Sequence, residues 1–338
     1  MKKVAFIANI YHNKSESSNY IIEILKERFK VDRISVETWV GLDSLTIQYI
    51  NKNKYDIIVF WQNYPEPKML EKLEQKNIVW IPMFDTEMNK KFTRYTRLIK
   101  NKIKIVSFSK KLYRSLSWYG FDIEYAQLYI KPLKRKNFNN KKIKVFYWPR
   151  MEVINWEIVK KLLGNNFKGE VIIQNVPDPN NTFKIPNKSD IKKYNIEIID
   201  KWLPFDQIMH IRSSMDLFIA PRLYEGIGLT FLEAMAGGTA VVSPNNSTMN
   251  EYITDKVNGY LYNPEKEISP IDFSNIEDIK DNAYKSMEDG YKRWDINKKK
   301  FLSFCNRRWK KSPVIYFRIT QIFYLLLDML LTFIKKML

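Results

Sequence analysis

Short apolar runs alternate with amphipathic stretches along almost the whole chain. Lys3 to Ala8, Val31 to Val36, Ile57 to Phe60, Asn77 to Met83, Ile103 to Phe108 and Ile123 to Leu128 are short and continuous enough for buried strands. Between them, Asn19 to Phe29 and the stretch near Ser44 to Asn53 carry helical spacing. The same alternation resumes with Ile143 to Tyr147, Glu170 to Gln174, Ile196 to Ile199, Leu217 to Ala220 and Thr239 to Ser243, with a turn and short helix over Lys201 to Ser214. Strand and helix alternating at this spacing predict parallel, doubly wound α/β sheets. The stretch Lys131 to Lys142 is basic, free of glycine and without apolar periodicity, and reads as a linker between two domains. The expected organisation is therefore a first domain over 1–130, a linker over 131–142, a second domain over 143–290 and a polybasic and amphipathic tail over 291–338.

One segment carries most of the chemistry. Ala220 to Gly238 reads APRLYEGIGLTFLEAMAGG: a strand end, a turn over Pro221 to Gly228, then a helix from Leu229. Gly226 and Gly228 allow close approach of backbone to a ligand, and the N–H groups of Ile227, Leu229 and Thr230 fall where a helix has no internal acceptors. Such a terminus seats a phosphate or a sugar oxygen. Glu225 in the turn and Glu233 one turn into the helix accept hydrogen bonds only when ionised, which suits sugar and ribose hydroxyls. The simpler alternative is an ordinary strand, turn and helix with Leu232, Met235 and Ala236 packed inward and both glutamates in solvent.

With Pro221, Glu225, Gly226, Gly228, Leu229, Glu233, Ala234, Met235, Ala236 and Gly238 in place, this segment resembles the E-x7-E signature of the retaining GT-B glycosyltransferases. Thr239 to Ser243, Asn250 to Ile253 and Asn258 to Leu261 resemble the elements that follow it in that family. The resemblance is strong over residues 195–264. It implies two Rossmann-like domains facing a cleft, with a nucleotide-sugar as donor substrate and no metal or other cofactor. It assigns Glu233 to the ribose and Glu225 to the transferred sugar. Arg150, just after the first strand of the second domain, matches the arginine that clamps the donor diphosphate, and Arg222 supplies charge where the family has Ser, with a structural role as the alternative for either arginine.

In a doubly wound fold the carboxyl ends of strands face the ligand, so Asp85 and Glu87 are candidates for acceptor hydroxyls, with solvated carboxylates at a helix N-terminus as the alternative. His12 falls in a glycine-free loop after the first strand and reads as a solvated loop residue, with a substrate contact as its alternative.

Charge adds a partner. The 338 residues hold 56 Lys and Arg against 37 Asp and Glu, a net charge of +19, which calls for an anionic surface or substrate. Ten of the basic residues lie between Lys90 and Arg114, with no Asp or Glu among them and with Phe92, Tyr95, Leu98 and Ile99 interleaved. Tyr291 to Lys311 carries nine more against one Asp, with Trp294, Phe301, Phe304 and Trp309. Pro313 to Leu338 is then mostly apolar, with Arg318, Gln321, Asp328, Thr332, Lys335 and Lys336 in one arc of a helix. Such a helix suits a membrane interface better than a span, because Arg318 and Asp328 would otherwise sit in hydrocarbon; packing back on the protein is the other possibility. An anionic membrane surface ranks above nucleic acid as the partner of these stretches.

Met1 to Tyr11 shows no leader pattern, which predicts retention in the cytoplasm. One cysteine and two histidines argue against disulfide and cysteine- or histidine-rich metal chemistry. The expectation is a retaining glycosyltransferase at the inner face of the cell membrane, acting on a lipid-linked or glycan acceptor in cell-surface polysaccharide or lipopolysaccharide assembly. A GT-B scaffold or partner subunit without catalysis is the alternative.

Overall fold

The computed structural model describes residues 1–15, 17–134, 142–178, 181–310 and 326. The core of the linker expected over 131–142 and the helix expected over 313–338, apart from Leu326, lie outside the described residues. The chain divides into two compact units, 1–127 joined by residues from 296 onward, and 128–295.

The first unit holds six strands, β1 (Lys3–Asn9), β2 (Lys30–Val36), β3 (Ile57–Trp61), β4 (Ile78–Ile81), β5 (Lys104–Ser107) and β6 (Asp122–Tyr125). They form one sheet in the order β2-β1-β3-β4-β5-β6, all parallel. β3, β4 and β5 are buried at every position, which explains why β3 and β4 read as unbroken apolar runs rather than alternating ones. The connecting helices are α1 (Tyr11–Ser15), α2 (Asn19–Lys26), α3 (Ser44–Lys52), α4 (Pro67–Glu71), α5 (Phe84–Glu87), α6 (Phe92–Lys100) and α7 (Lys110–Trp118). Their starts are chemically marked where a side chain can accept from the first turn: Asp43 accepts from Thr46 N–H at 2.8 Å, and Ser109 caps α7.

The second unit repeats the scheme with β7 (Lys144–Tyr147), β8 (Glu170–Gln174), β9 (Ile196–Ile199), β10 (Leu217–Ile219), β11 (Ala240–Pro244) and β12 (Tyr260–Tyr262). The order β12-β11-β10-β7-β8-β9 is again all parallel, and reads as the doubly wound order 3-2-1-4-5-6. Its helices are α8 (Trp156–Leu163), α9 (Lys188–Lys193), α10 (Phe205–Ser213) and α11 (Leu229–Ala236), followed by α12 (Ile276–Asn306). Asn155 and Asn187 cap α8 and α9, and Gly164 at φ 75° stops α8. Trp156, Val159, Leu162 and Leu163 of α8 pack on Val145, Tyr147, Val171 and Ile173 of the central strands.

α12 begins in the second unit and belongs to the first from Ile296. Its buried face runs through Ile276, Ile279, Ala283, Met287, Trp294, Phe301 and Cys305. Of the aromatics among the basic residues of the stretch from 291, Trp294, Phe301 and Phe304 are buried, because the helical period separates them from the exposed Lys292, Lys299 and Lys300. Lys104 departs from expectation. It is fully buried in β5, and its ammonium donates to the carbonyls of Phe304 at 2.7 Å and Cys305 at 3.0 Å, closing the end of α12. Arg307 then pairs with Asp122 through both carboxylate oxygens.

The basic run between Lys90 and Arg114 thus loses Lys104 to the interior, and Arg94 stacks on the Tyr64 ring at 3.5 Å. The other eight, Lys90, Lys91, Arg97, Lys100, Lys102, Lys110, Lys111 and Arg114, are exposed. Tyr95 and Leu98 between them face the core.

His12, expected in solvent, is buried at 3% exposure beside the end of β1. Its Nδ1 lies 2.7 Å from Ser17 Oγ, and its ring meets Trp39 and Trp61 edge-on. Burial, with a contribution from Arg33, pushes its pKa down to about 4. The unfolded chain then binds a proton that the folded chain refuses between about pH 6.5 and 4, so acidification through that window destabilises the fold. The wild type is expected to lose about 3 kcal/mol at most across that window, and His12→Gln to lack this loss. Urea unfolding of both proteins at a series of pH values measures it, and parallel pH profiles would contradict the assignment.

Candidate functional site

The second sheet changes winding direction between β7 and β10, whose chains leave for opposite flanks. At such a switch point the strand ends open a crevice. Trp148, Pro149 and Arg150 follow β7, and Ala220, Pro221 and Arg222 follow β10, so the two arginines expected to hold a diphosphate come to one place. The loop after β8 brings a residue that sequence reasoning passed over. Asp178 accepts from Arg150 Nε at 3.0 Å through one oxygen and from Arg222 Nη2 through the other, while its own N–H bonds to the Arg150 carbonyl at 2.9 Å. Lys160, the next lysine after Arg150, is engaged elsewhere, with Asp190 at 3.2 Å.

The turn from Pro221 to Gly228 then delivers α11. Gly228 precedes the helix at φ 75° and ψ 46°, and an added Cβ there would stand 1.9 Å from the Phe231 ring. Glycine is therefore required twice over at this position, by backbone and by space. Phe231 and Leu232 N–H both bond to the Gly228 carbonyl, and Gly228 as the N-cap residue offers no side-chain cap. The positive end of α11, at Leu229 and Thr230 with Ile227 and Gly226 just before it, thus lies beside the loop that carries Arg222. Glu225 is buried at 5% exposure. Asn246, from the loop after β11, donates to the Leu223 carbonyl at 2.9 Å and so ties that loop to the turn. The same loop holds Thr248, fully buried at φ 66°, a strained conformation of the kind that gathers at functional sites.

Glu233 points to a second unforeseen partner. Arg212 of α10 donates to its Oε2 at 3.2 Å. Arg212 is 7% exposed, and its guanidinium lies 5.4 Å from the centroid of Phe146 and 5.3 Å from that of Trp148. Arg150 approaches the same Trp148 ring at 4.9 Å, and Trp202, exposed, meets it edge-on. Burial raises the pKa of Glu233, an effect that Arg212 opposes, and burial lowers that of Arg212. One sequence signal could have revealed Arg212: it stands four residues after the buried Ile208, on the inward face of α10, where an apolar residue would be routine. No local pattern marked Asp178, which acquires its partners only through the order of the strands.

In the first unit, Asp85 and Glu87 fall in α5, after β4. Asp85 accepts from Thr86 N–H at 3.0 Å. Glu87 is buried, accepts from Tyr95 Oη at 2.9 Å and lies 3.6 Å from Arg94, and burial raises its pKa. Among the described residues no group of three or more His, Cys, Asp or Glu side chains is placed to hold a metal ion.

Residues 186–299, which include Glu225, Glu233 and Arg212, match the family model of glycosyl transferases group 1, so this stretch carries a domain of that kind. A stretch of 92 residues is 33% identical to the alpha-monoglucosyldiacylglycerol synthase of Streptococcus pneumoniae, covering 25% of this chain and 21% of that protein; the chain thus spans about a fifth of that relative's length. Among solved structures, the sucrose-phosphate synthase of Thermosynechococcus elongatus superposes with a TM-score of 0.63 at 12% identity, over 89% of this chain and 97% of that one. TarM gives 0.58 at 16% identity, over 78% of this chain and 58% of TarM. The fold is that of the GT-B glycosyltransferases, two parallel six-stranded sheets flanked by helices.

The demand on Gly228 gives a direct test of the turn. Gly228→Ala is expected to lower stability by about 2 to 4 kcal/mol, from the left-handed backbone and the clash with Phe231 together. Urea denaturation would measure it, and a loss below about 0.5 kcal/mol would mean that the turn has another conformation.

Proposed function

We propose that the protein is a retaining glycosyltransferase that moves a sugar from a nucleotide-sugar donor to a lipid-linked or glycan acceptor at a membrane face, in cell-surface polysaccharide or lipopolysaccharide assembly. The observation that carries this reading is the convergence of Arg150, Arg222 and the N-terminus of α11 at the switch point of the second sheet, with Glu233 on the same helix. A nucleoside diphosphate gains charge as it leaves a sugar, and fixed cations with a helix N-terminus stabilise that charge without reorganising. Glu233 takes the ribose and Glu225 the transferred sugar. The departing phosphate accepts the acceptor's proton on the same face, so the anomeric configuration is kept. With arginines and the helix supplying positive charge, transfer is expected to persist in EDTA. Asp85 and Glu87 remain the acceptor-side candidates of this reading.

A second reading, a GT-B fold without catalysis that serves as scaffold or partner subunit, has one observation in its favour: both arginines already share the carboxylate of Asp178. Thermal unfolding with UDP, GDP, CMP and their sugar conjugates separates the two. UDP comes first, since TarM of S. aureus was solved with UDP. The catalytic reading expects one nucleotide to raise the melting temperature by a few degrees at saturation, with the shift lost in Glu233→Ala. With the matching sugar nucleotide and a glycolipid acceptor, NMR of the product should show the donor's anomeric configuration, with or without EDTA. Silence towards all the nucleotides would put the scaffold first.

The membrane part of the proposal rests on the eight exposed cations of the Lys90 to Arg114 run and on the lipid named in the streptococcal relative. No helix among the described residues is long and apolar enough to cross a membrane. Cosedimentation with phosphatidylglycerol-rich vesicles is expected, lost in high salt and weakened when Arg97, Lys100, Lys111 and Arg114 are changed to Glu. Binding that ignores salt and these changes would refute an electrostatic surface.

A further inference from the structure

We propose that Arg212 is a positioning residue for the donor: it holds Glu233 with one carboxylate oxygen turned to the protein and the other offered to the ribose. The inference rests on the donor-site reading above and adds to it a residue that neither the signature segment nor the family match singles out.

A guanidinium lying over two aromatic rings at 7% exposure is costly, since burying a charge costs several kcal/mol unless it is paired. The inward face of α10 at this point, four residues on from Ile208, would be filled more cheaply by Leu or Met. What the arginine gains is Glu233 Oε2 at 3.2 Å, and among the described residues Glu233 Oε1 has no hydrogen bond or ion pair. That division matters chemically. Ribose hydroxyls bind through their protons and need an acceptor, which an ionised carboxylate provides and a protonated one does so only in part. Burial alone pushes Glu233 towards its protonated form, and Arg212 works against that. The guanidinium is itself held in place by the faces of Phe146 and Trp148, at the end of β7, so the carboxylate is aimed by the same strand that carries Arg150. Ribose and phosphate recognition are thereby set in register by one strand end.

The test compares UDP with its 2′,3′-dideoxy analogue by isothermal titration calorimetry on the full chain, with the GDP pair run in parallel, and uses pyrophosphate as a probe of Arg150 and Arg222. Wild-type protein is expected to prefer the ribonucleotide by about tenfold or more, the weight of hydrogen bonds to a charged acceptor. Glu233→Gln should bring the ratio close to one. Arg212→Met should do the same, the double variant should go no further, Arg212→Lys should recover part of the preference, and pyrophosphate affinity should stay within about twofold throughout. A wild-type protein that ignores the ribose hydroxyls, or binds neither nucleotide, defeats the donor-site reading and this inference with it. A preference lost in Glu233→Gln but kept in Arg212→Met, whatever the fall in melting temperature, defeats the inference alone. Should Arg212→Met not fold, Arg212→Lys decides: wild-type discrimination by a lysine that cannot make the fork contact marks Arg212 as structural, and a reduced ratio supports its positioning role.

Discussion

Every strand in both sheets runs parallel to its neighbours, and most of what is distinctive in the protein follows from that. Parallel strands cannot be joined by tight hairpins, so each return passes through a helix or long loop, and all carboxyl ends leave from one edge. Where the winding reverses, between β7 and β10, no connecting helix covers the edge, and the segments after β7, β8 and β10 meet there. Arg150, Asp178 and Arg222 are one residue from each of those three segments. Their clustering is a result of strand order before it is a result of any local sequence preference.

Among the described residues, several buried charges have a specific partner that explains them. Lys280 pairs with Asp216 at 2.7 Å, and Asp216 also accepts from Lys144 N–H at 2.9 Å, which fixes α12 against the entry points of β7 and β10. Lys104 binds successive carbonyls at the end of α12, where a helix has acceptors to spare. Desolvation lowers its pKa to about 8. Both of these lysines close structural gaps in backbone or side-chain pairing. Arg212 is different, because its partner Glu233 keeps one oxygen uncommitted among the described residues, and a purely structural pair gains nothing from leaving an acceptor unused.

The basic excess has a similar internal division. Lys104 and Arg94 serve the interior of the first unit, and the aromatic residues that seemed to accompany the cations mostly serve it too. What remains outside is a set of exposed cations on and around α6 and α7, together with the exposed Trp118. Exposed charge of one sign with little large apolar surface beside it favours attraction that is long-ranged and salt-sensitive over insertion.

By itself the sequence determined the strands, the helices with marked ends and the signature turn. Apolar runs such as Ile57 to Phe60 and Glu170 to Gln174 have no stable place except a buried parallel strand, and Asp43, Asn155 and Gly164 act on neighbours within a few residues. Glu225, Gly228 and Glu233 belonged to that local class, since a turn and a helix start are written in adjacent residues. His12, Asp178, Arg212 and the face of α12 did not. Whether a histidine after a strand is wet or dry, which carboxylate meets two arginines, and which aromatic residues of a basic helix turn inward depend on residues tens of positions away. Only the packed sheets bring those residues together, because strand order and burial are set by the whole of a unit and appear in no short window of the chain.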